Sequence, residues 1–310
     1  MDEKRYLEAE NYYTKALREK GYSGAKGKFY PAFDIRMIFG TLGAPTEYRR
    51  ELDLVNGVCT VSYKDNGSKW VRTAFVSKAD NLLLINIKKD SPFNMIFALE
   101  RHDLADWVDY RNCDEFYSVS QGDYIYSRCK TEGKLDYSGI IKLVYTDGQT
   151  ENIYKVKKRK IDMEGALALD NSIKVTGATE ITIALNIEDK AQDIEEMKKG
   201  VDKFTFSFDE ALLRHSREFS KLFLGTTIEL CADKDNATNE ELLLKSYQGE
   251  VDIRVAEKMA DFGRYLLISS SHGCDCPANL QGLWNGAYSP AWACTYFNNE
   301  NIQMAYWQAY

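Results

Sequence analysis

The sequence has 310 residues, of which 44% are hydrophobic and 13% aromatic, enough for the cores of one large domain or two ordinary ones. Its formal net charge is -7, and acidic and basic residues are interleaved, which excludes the basic surface that nucleic-acid binding requires. No apolar run approaches the ~20 residues that cross a bilayer. The sequence therefore predicts neither a nucleic-acid partner nor a membrane partner.

The cysteines are seven, an odd number, and they are scattered along the chain, which argues against a disulfide framework. One cluster, His272-Gly-Cys274-Asp-Cys276, offers zinc ligands, but its Cys-x-Cys spacing is tighter than that of common zinc sites and no second ligand pair follows. We predict free thiols, no metal and no cofactor. The start of the chain leads into no apolar signal segment. The location stays open: the protein is cytoplasmic, or exported if the native N-terminus lies upstream.

The first periodic segment is a helix at residues 3–20, where apolar side chains recur every three to four positions and Gly21 ends the pattern. From 29 to 206 the period changes to two, which predicts a large antiparallel β-sandwich. Its predicted strands are 58–63, 71–76, 82–87, 94–99, 140–145, 172–175 and 180–185. Turn signals separate several of them, at Asp65-Asn-Gly67, Asp147-Gly148 and Asp170-Asn171. We interpret 103–134 as connections or weak strands, and 189–199 as a solvated charged helix.

Helices replace strands after the sandwich. Ser207 and Glu210 have the spacing of a capping box, which predicts a linker helix that leaves the sandwich. A short apolar strand is expected at 227–231, followed by a polar loop. Residues 252–270 carry an apolar stripe at helical spacing, and a further helix should begin near Asn301.

The loop between the last two helices, 273–300, is unusually rich in amides and aromatic rings. Asn and Gln side chains match the hydroxyls of a sugar, while Trp and Tyr rings offer flat apolar faces to its C–H side. Long loops of this kind between helices are more often functional than structural. The composition therefore indicates a carbohydrate site.

Three blocks around this loop closely resemble family 95 of the glycoside hydrolases, the inverting α-L-fucosidases. They are Gly263-Arg-Tyr-Leu-Leu-Ile-Ser-Ser-Ser271, Cys276-Pro-Ala-Asn-Leu-Gln-Gly-Leu-Trp-Asn285, and Pro290-Ala-Trp292 followed by Asn299-Glu-Asn301-Ile-Gln-Met-Ala-Tyr-Trp307. The resemblance implies an N-terminal β-super-sandwich, a helical linker and the start of an (α/α)6 barrel. It also implies that the 310 residues are an internal fragment of a longer enzyme.

By position, the resemblance makes Asn299 and Asn301 the pair that holds the hydrolytic water, with the acid glutamate and a supporting aspartate farther downstream. It implies substrate contacts from the loop side chains Gln281, Trp284, Asn285 and Trp292. Two alternatives remain open from the residues alone. The two asparagines could cap the helix that starts there, and the tryptophans could belong to the barrel core.

The implied substrate is a fucosylated oligosaccharide or polysaccharide. An α-L-galactosidase of the same family and a non-catalytic or decayed carbohydrate-binding protein are the alternatives. The predicted domains are a helical lead-in at 1–28, the sandwich at 29–206, a linker helix with a short strand at 207–240, and the beginning of the catalytic barrel at 241–310. Because the acid is expected downstream, the chain alone should be inactive.

Overall fold

The computed structural model describes residues 5–22, 31–41, 43–101, 115–131, 135–145, 147–154, 171–204, 207–231, 237–249, 252–287 and 290–309. Among these residues no helix is both long enough and apolar enough to cross a membrane. After one N-terminal helix, the described chain consists of an antiparallel sheet followed by further helices. This order confirms the predicted fold class.

The strands pair antiparallel, as the alternating pattern predicts. In chain order they are β1 Asp34–Ile38, β2 Thr46–Asp53, β3 Val58–Asp65, β4 Ser68–Ser77, β5 Leu82–Glu100, β6 Glu115–Gln121, β7 Tyr124–Lys130, β8 Asp136–Tyr145, β9 Gln149–Ile153 and β10 Ser172–Glu188. The sheet order is β2-β3-β4-β5-β10-β8-β7-β6, while β1 also pairs with β5 and β9 with β10.

Two long strands, β5 and β10, pair with different neighbours along their two halves. The first half of β5 pairs with β4 and its second half with β1, and the pairing of β10 with β5 shifts register between Val175 and Glu180. Both halves of β5 supply the same core, which contains Ile87 and Phe97 at 0% exposure. Burial of each such side chain stabilises the fold by about 1.5–3 kcal/mol.

The turn between β3 and β4 has the conformation that its sequence predicts. Asn66 and Gly67 have φ of 48° and 80°, which is the left-handed pair required by a tight hairpin. The predicted strands 82–87 and 94–99 are parts of the single strand β5. They looked separate because the residues between them are polar and partly exposed.

Residues 103–134, which the sequence left open between connections and weak strands, form strands in most of their described part. Strands β6 and β7 form a regular hairpin there, closed by the turn at Gly122 and Asp123. Their outward residues are polar or aromatic, so the hydrophobic alternation is weak, and pairing with β8 places the hairpin. Residues 102–114 and 132–134 lie outside the described part, as does Asp170 of the predicted turn.

The helices are α1 Tyr6–Glu19, α2 Ile194–Asp202, α3 Phe208–Phe223, α4 Asn239–Tyr247, α5 Ile253–Ser271 and α6 Asn301–Tyr306. Helix α1 matches the prediction, ends before Gly21 at a φ of 82°, and buries none of its own residues. Helix α2 is not fully solvated, in contrast to what the charged sequence predicts. Its Met197 and Val201 are buried against the sheet. Lys198 pairs with Glu195 and also donates to Gln121 of β6, while Lys199 pairs with Glu196.

Helix α3 starts at the predicted capping box. The Ser207 hydroxyl accepts a hydrogen bond from the backbone N–H of Glu210, and the Glu210 carboxylate accepts one from the N–H of Ser207. The helix packs its buried face onto the outer side of the sheet, where Phe208 contacts Phe75 at a ring separation of 5.3 Å. It therefore connects the sandwich to the helices that follow.

The region after α3 differs from the prediction in two ways. The short strand expected at 227–231 is not formed, since this segment pairs with no strand of the described chain and the Leu230 N–H donates instead to Glu257 of α5. The polar loop expected next contains α4, which starts at a second capping box formed by Thr238 and Glu241. The division into domains at 28, 206 and 240 stays a prediction.

Candidate active site

Helix α5 is capped at its start and attached to α3 in its middle, and the amide-rich loop follows its C-terminal end. At its start, the Asp252 carboxylate accepts hydrogen bonds from the Arg254 N–H at 3.0 Å and from the Arg254 guanidinium. Those bonds lower the pKa of Asp252 to about 2. In its middle, Arg264 Nη2 donates to the carbonyl oxygens of Leu222 at 3.3 Å and Phe223 at 3.0 Å, at the C-terminal end of α3. A cation there satisfies carbonyls without helical partners.

Asn279 organises the amide-rich loop. Its side chain is buried, and its Oδ1 accepts hydrogen bonds from the Gln281 N–H at 2.8 Å and from the Cys294 thiol at 3.0 Å. Cys294 is 0% exposed. One buried carboxamide thus joins the two halves of the loop, which are 15 positions apart in sequence.

The loop is also attached to α6. The Ala278 N–H donates to the Tyr306 hydroxyl at 3.1 Å. Nearby, burial and the neighbouring thiol of Cys276 raise the pKa of Tyr296. A tight 3₁₀ turn follows Pro290, with left-handed φ of 57° at Trp292 and 50° at Cys294. Non-glycine residues in this conformation are uncommon and mark a backbone that its surroundings hold in place.

Asn299 and Asn301 are both exposed at the start of α6. The residue at the N-cap position is Glu300, and no described side chain caps this helix start. Neither carboxamide makes a hydrogen bond with any other described residue. The alternative interpretation of this pair as helix caps is therefore not what the structure shows. Both side chains are open to water, which an amide oxygen can orient but not deprotonate.

Trp284 lies apart from this pair, at the junction of the sheet and the helices. It closes one side of a cavity of about 740 Å³ that is formed by strand ends of β3–β5, helices α3 and α5, and the loop. We call this space the junction cavity. Gly282 makes the position of the indole possible, because a Cβ there would come within 2.5 Å of a Trp284 ring carbon.

The other predicted contacts are distributed around the loop. Trp292 is 77% exposed and the Gln281 side chain is exposed. The Asn285 carboxamide forms a local turn, donating to the Ala287 carbonyl at 2.9 Å and accepting from its N–H at 3.1 Å. Among the described lining of the junction cavity, Trp284 is the one member of the predicted set.

Three residues with structural importance were missed from the sequence. Asn279, Cys294 and Tyr306 make the hydrogen bonds that shape the loop. A signal was present only for Asn279, because an Asn side chain in a loop commonly accepts a hydrogen bond from the backbone two residues on and so forms a turn. The partners of the thiol and the phenol are distant in sequence and depend on the fold.

Comparison with known proteins agrees with this architecture. Residues 2–193 match the model for the N-terminal domain of glycosyl hydrolase family 65, and residues 207–310 match the model for the family 95 catalytic domain. A solved structure titled "Putative kojibiose phosphorylase from human microbiome" superposes with a TM-score of 0.52 at 13% identity, covering 84% of this chain and 36% of that one. That likeness concerns the fold alone.

Curated relatives match along nearly all of the chain. "Alpha-L-fucosidase 2" of Arabidopsis thaliana is 25% identical over 338 residues, covering 100% of this chain and 39% of the relative. "Probable alpha-fucosidase A" of Aspergillus niger is 27% identical over 292 residues, covering 91% and 36%. The chain thus spans somewhat over a third of the length of these relatives. The matches place residues 207–310 in the catalytic domain of glycosyl hydrolase family 95, after an N-terminal domain of the family 65 type at residues 2–193.

Proposed function

We propose that the protein to which these 310 residues belong is an inverting α-L-fucosidase that removes terminal fucose from oligosaccharides. The observation that carries the proposal is the Asn299-Glu-Asn301 motif, whose two carboxamides are exposed and free of hydrogen bonds to described residues. The fucosidase names of the curated relatives support the choice of sugar.

The proposed mechanism assigns the water to the amides and the proton transfers to carboxylates. Inversion needs an acid on the leaving oxygen and an activated water on the opposite face of the sugar, with about 6.5–9.5 Å between the two carboxyl groups. The amide oxygens of Asn299 and Asn301 orient the water. They cannot take its proton, so a carboxylate must act as the base. We place both carboxyl groups outside residues 1–310.

Trp292 is proposed as a platform for the sugar ring, because its indole is 77% exposed beside the same loop. Gln281 presents an exposed amide for sugar hydroxyls. Asn285 acts indirectly in this proposal, since its carboxamide is already bonded to Ala287. Trp284 faces the junction cavity, so its predicted substrate contact is not part of the proposed mechanism.

One observation favours a second function for the chain by itself. Within the loop 273–300 the carboxylates are Asp275 and Glu300, and both are exposed. An exposed carboxylate is surrounded by water and lacks the enclosed setting of a catalytic acid. Binding of sugar without hydrolysis is therefore the alternative, and L-galactose is the alternative sugar.

A fucose-release assay tests the proposal. Full-length protein is assayed on fucosylated oligosaccharides, with Asn301→Ala as the test variant and Asn298→Ala as the matched control. Asn298 is an exposed neighbour outside the motif. We expect Asn301→Ala to lose activity at least a hundredfold, as for removal of other groups that stabilise a transition state, and Asn298→Ala to retain it. Equal turnover in all three proteins would remove the role assigned to Asn301.

A further inference from the structure

The junction cavity has an interior that the proposed hydrolysis leaves unexplained. Its floor is formed by Ala74 and Leu83 on adjacent strands of the sheet, and its walls by residues of α3 and α5 that include Leu222 and Ile268. A volume of about 740 Å³ lies within the roughly 300–1,000 Å³ typical of small-molecule sites. The space is large enough for a molecule of two or three rings.

The interior is apolar, and its described floor and walls carry no charge. His215 of α3 lines the cavity and is buried. Its ring stacks on Phe75 at a ring separation of 4.7 Å, and its Nε2 lies 3.2 Å from the Gly57 carbonyl oxygen. Burial lowers the pKa of His215, so the imidazole is neutral at pH 7. Few polar groups remain inside to match the hydroxyls of a sugar, and the walls suit rings or alkyl chains instead.

The rim has the opposite character. Lys78, from the turn after β4, and Lys221, from α3, both border the cavity and are exposed. Among described residues neither ammonium has an ion-pair partner. Lys78 Nζ lies 3.6 Å from the point that a Cβ on Gly273 would occupy, so it reaches across the mouth to the loop. The one carboxylate among the described lining residues is Glu218, and the mouth is net positive.

We propose that the junction cavity binds a small molecule with an apolar ring or chain body and an anionic head. The body occupies the space between the strands and Trp284, and the head lies at the mouth between Lys78 and Lys221. This site is independent of the water held by Asn299 and Asn301. It requires no turnover.

Titration with two fluorescent probes of similar shape tests the site in the 310-residue chain. The probes are 1-anilinonaphthalene-8-sulfonate, which carries an anionic head, and N-phenyl-1-naphthylamine, which does not. We expect saturable one-to-one binding of both. Replacement of both lysines, Lys78→Met with Lys221→Met, should weaken the sulfonate about fivefold, as loss of two exposed charge contacts implies, and leave the neutral probe unchanged. Lys69→Met is the matched control, an exposed lysine on the same sheet that does not line the cavity.

Position is tested by filling the cavity. Val76→Trp places a large side chain at a residue that lines the cavity and is 62% exposed, and we expect it to abolish binding of both probes. Leu243→Gln alters a second, smaller apolar groove between α4 and α5 and should change nothing. Binding that survives Val76→Trp, or that disappears in Leu243→Gln, overturns the proposal. If Val76→Trp does not fold, the lysine variants still test the proposal. An unchanged affinity for the sulfonate in the double variant Lys78→Met with Lys221→Met also overturns it.

Discussion

Replacement of Gly57 by alanine tests how α3 is attached to the sandwich. Gly57 lies in the turn between β2 and β3 with a φ of 66°, and a Cβ built there would lie 2.9 Å from two carbons of the Phe219 ring on α3. Gly67, in the turn between β3 and β4, provides a matched control. Its φ is 80°, and no described atom lies within 4 Å of the point that a Cβ would occupy there.

The two substitutions share one cost and differ in another. Alanine in the left-handed region costs about 1–2 kcal/mol at either site. At Gly57 the new methyl group must also displace a packed aromatic ring, and overpacking typically costs about 1–3 kcal/mol more. We therefore expect Gly67→Ala to lower the free energy of unfolding by about 1–2 kcal/mol and Gly57→Ala by about 2–5 kcal/mol.

Urea denaturation followed by tryptophan fluorescence measures both values, provided that the m-value stays constant. The double variant Gly57→Ala with Phe219→Leu identifies the source of the difference, because a smaller side chain makes room for the methyl group. Its loss of stability should be less than the sum of the single losses. Equal destabilisation at Gly57 and Gly67, or additive losses in the double variant, would refute the packing of Phe219 against this turn.

Four further predictions concern other parts of the structure. Burial holds the pKa of His215 below the 6.5 of the unfolded chain. The contribution of this histidine to stability is therefore full above about pH 6.5 and is lost as the pH falls through that value towards the folded pKa. His215→Phe should flatten the pH dependence of the urea midpoint over that range. Asn279→Ala should speed reaction of the buried Cys294 with a thiol reagent, because the bond that joins the loop halves is lost, and an unchanged rate would contradict that role. Ser207→Ala should cost about 1 kcal/mol of stability through loss of the α3 cap, and no measurable loss would argue against the capping box. The 310-residue chain alone should release no fucose, and turnover by the purified chain would place the acid within it.

The sandwich and the main helices could be predicted from local patterns because those patterns have a direct physical cause. Alternation along β3–β5 reflects two packed faces, one on the core that contains Trp70 and Ile87 and one on the core that contains Phe75 and Leu84. The capping box at Ser207 satisfies free N–H groups of α3 within four residues. The β6–β7 hairpin could not be predicted in the same way, since its position depends on pairing with β8. The same limit applies to α2, because Met197 and Val201 stand among charged residues and their burial depends on the sheet that they contact.

At the site, residue types indicated a sugar, but their grouping could not be read from sequence. Trp284 and Trp292 are eight positions apart in one loop, yet one closes the junction cavity and the other is exposed at a left-handed turn. A buried hydrogen bond between Asn279 and Cys294 joins the two halves of this loop. Such contacts form only after the loop has folded, and no local spacing predicts them.

The stereochemistry of fucose release tests the central claim most directly. In full-length protein, proton NMR recorded during hydrolysis of an α-L-fucoside shows which anomer appears first. Water held by Asn299 and Asn301 on the face opposite the leaving group must give β-L-fucose first, with the α anomer arising later by mutarotation. Initial release of α-L-fucose would show retention through a covalent intermediate and would contradict the role of the two asparagines.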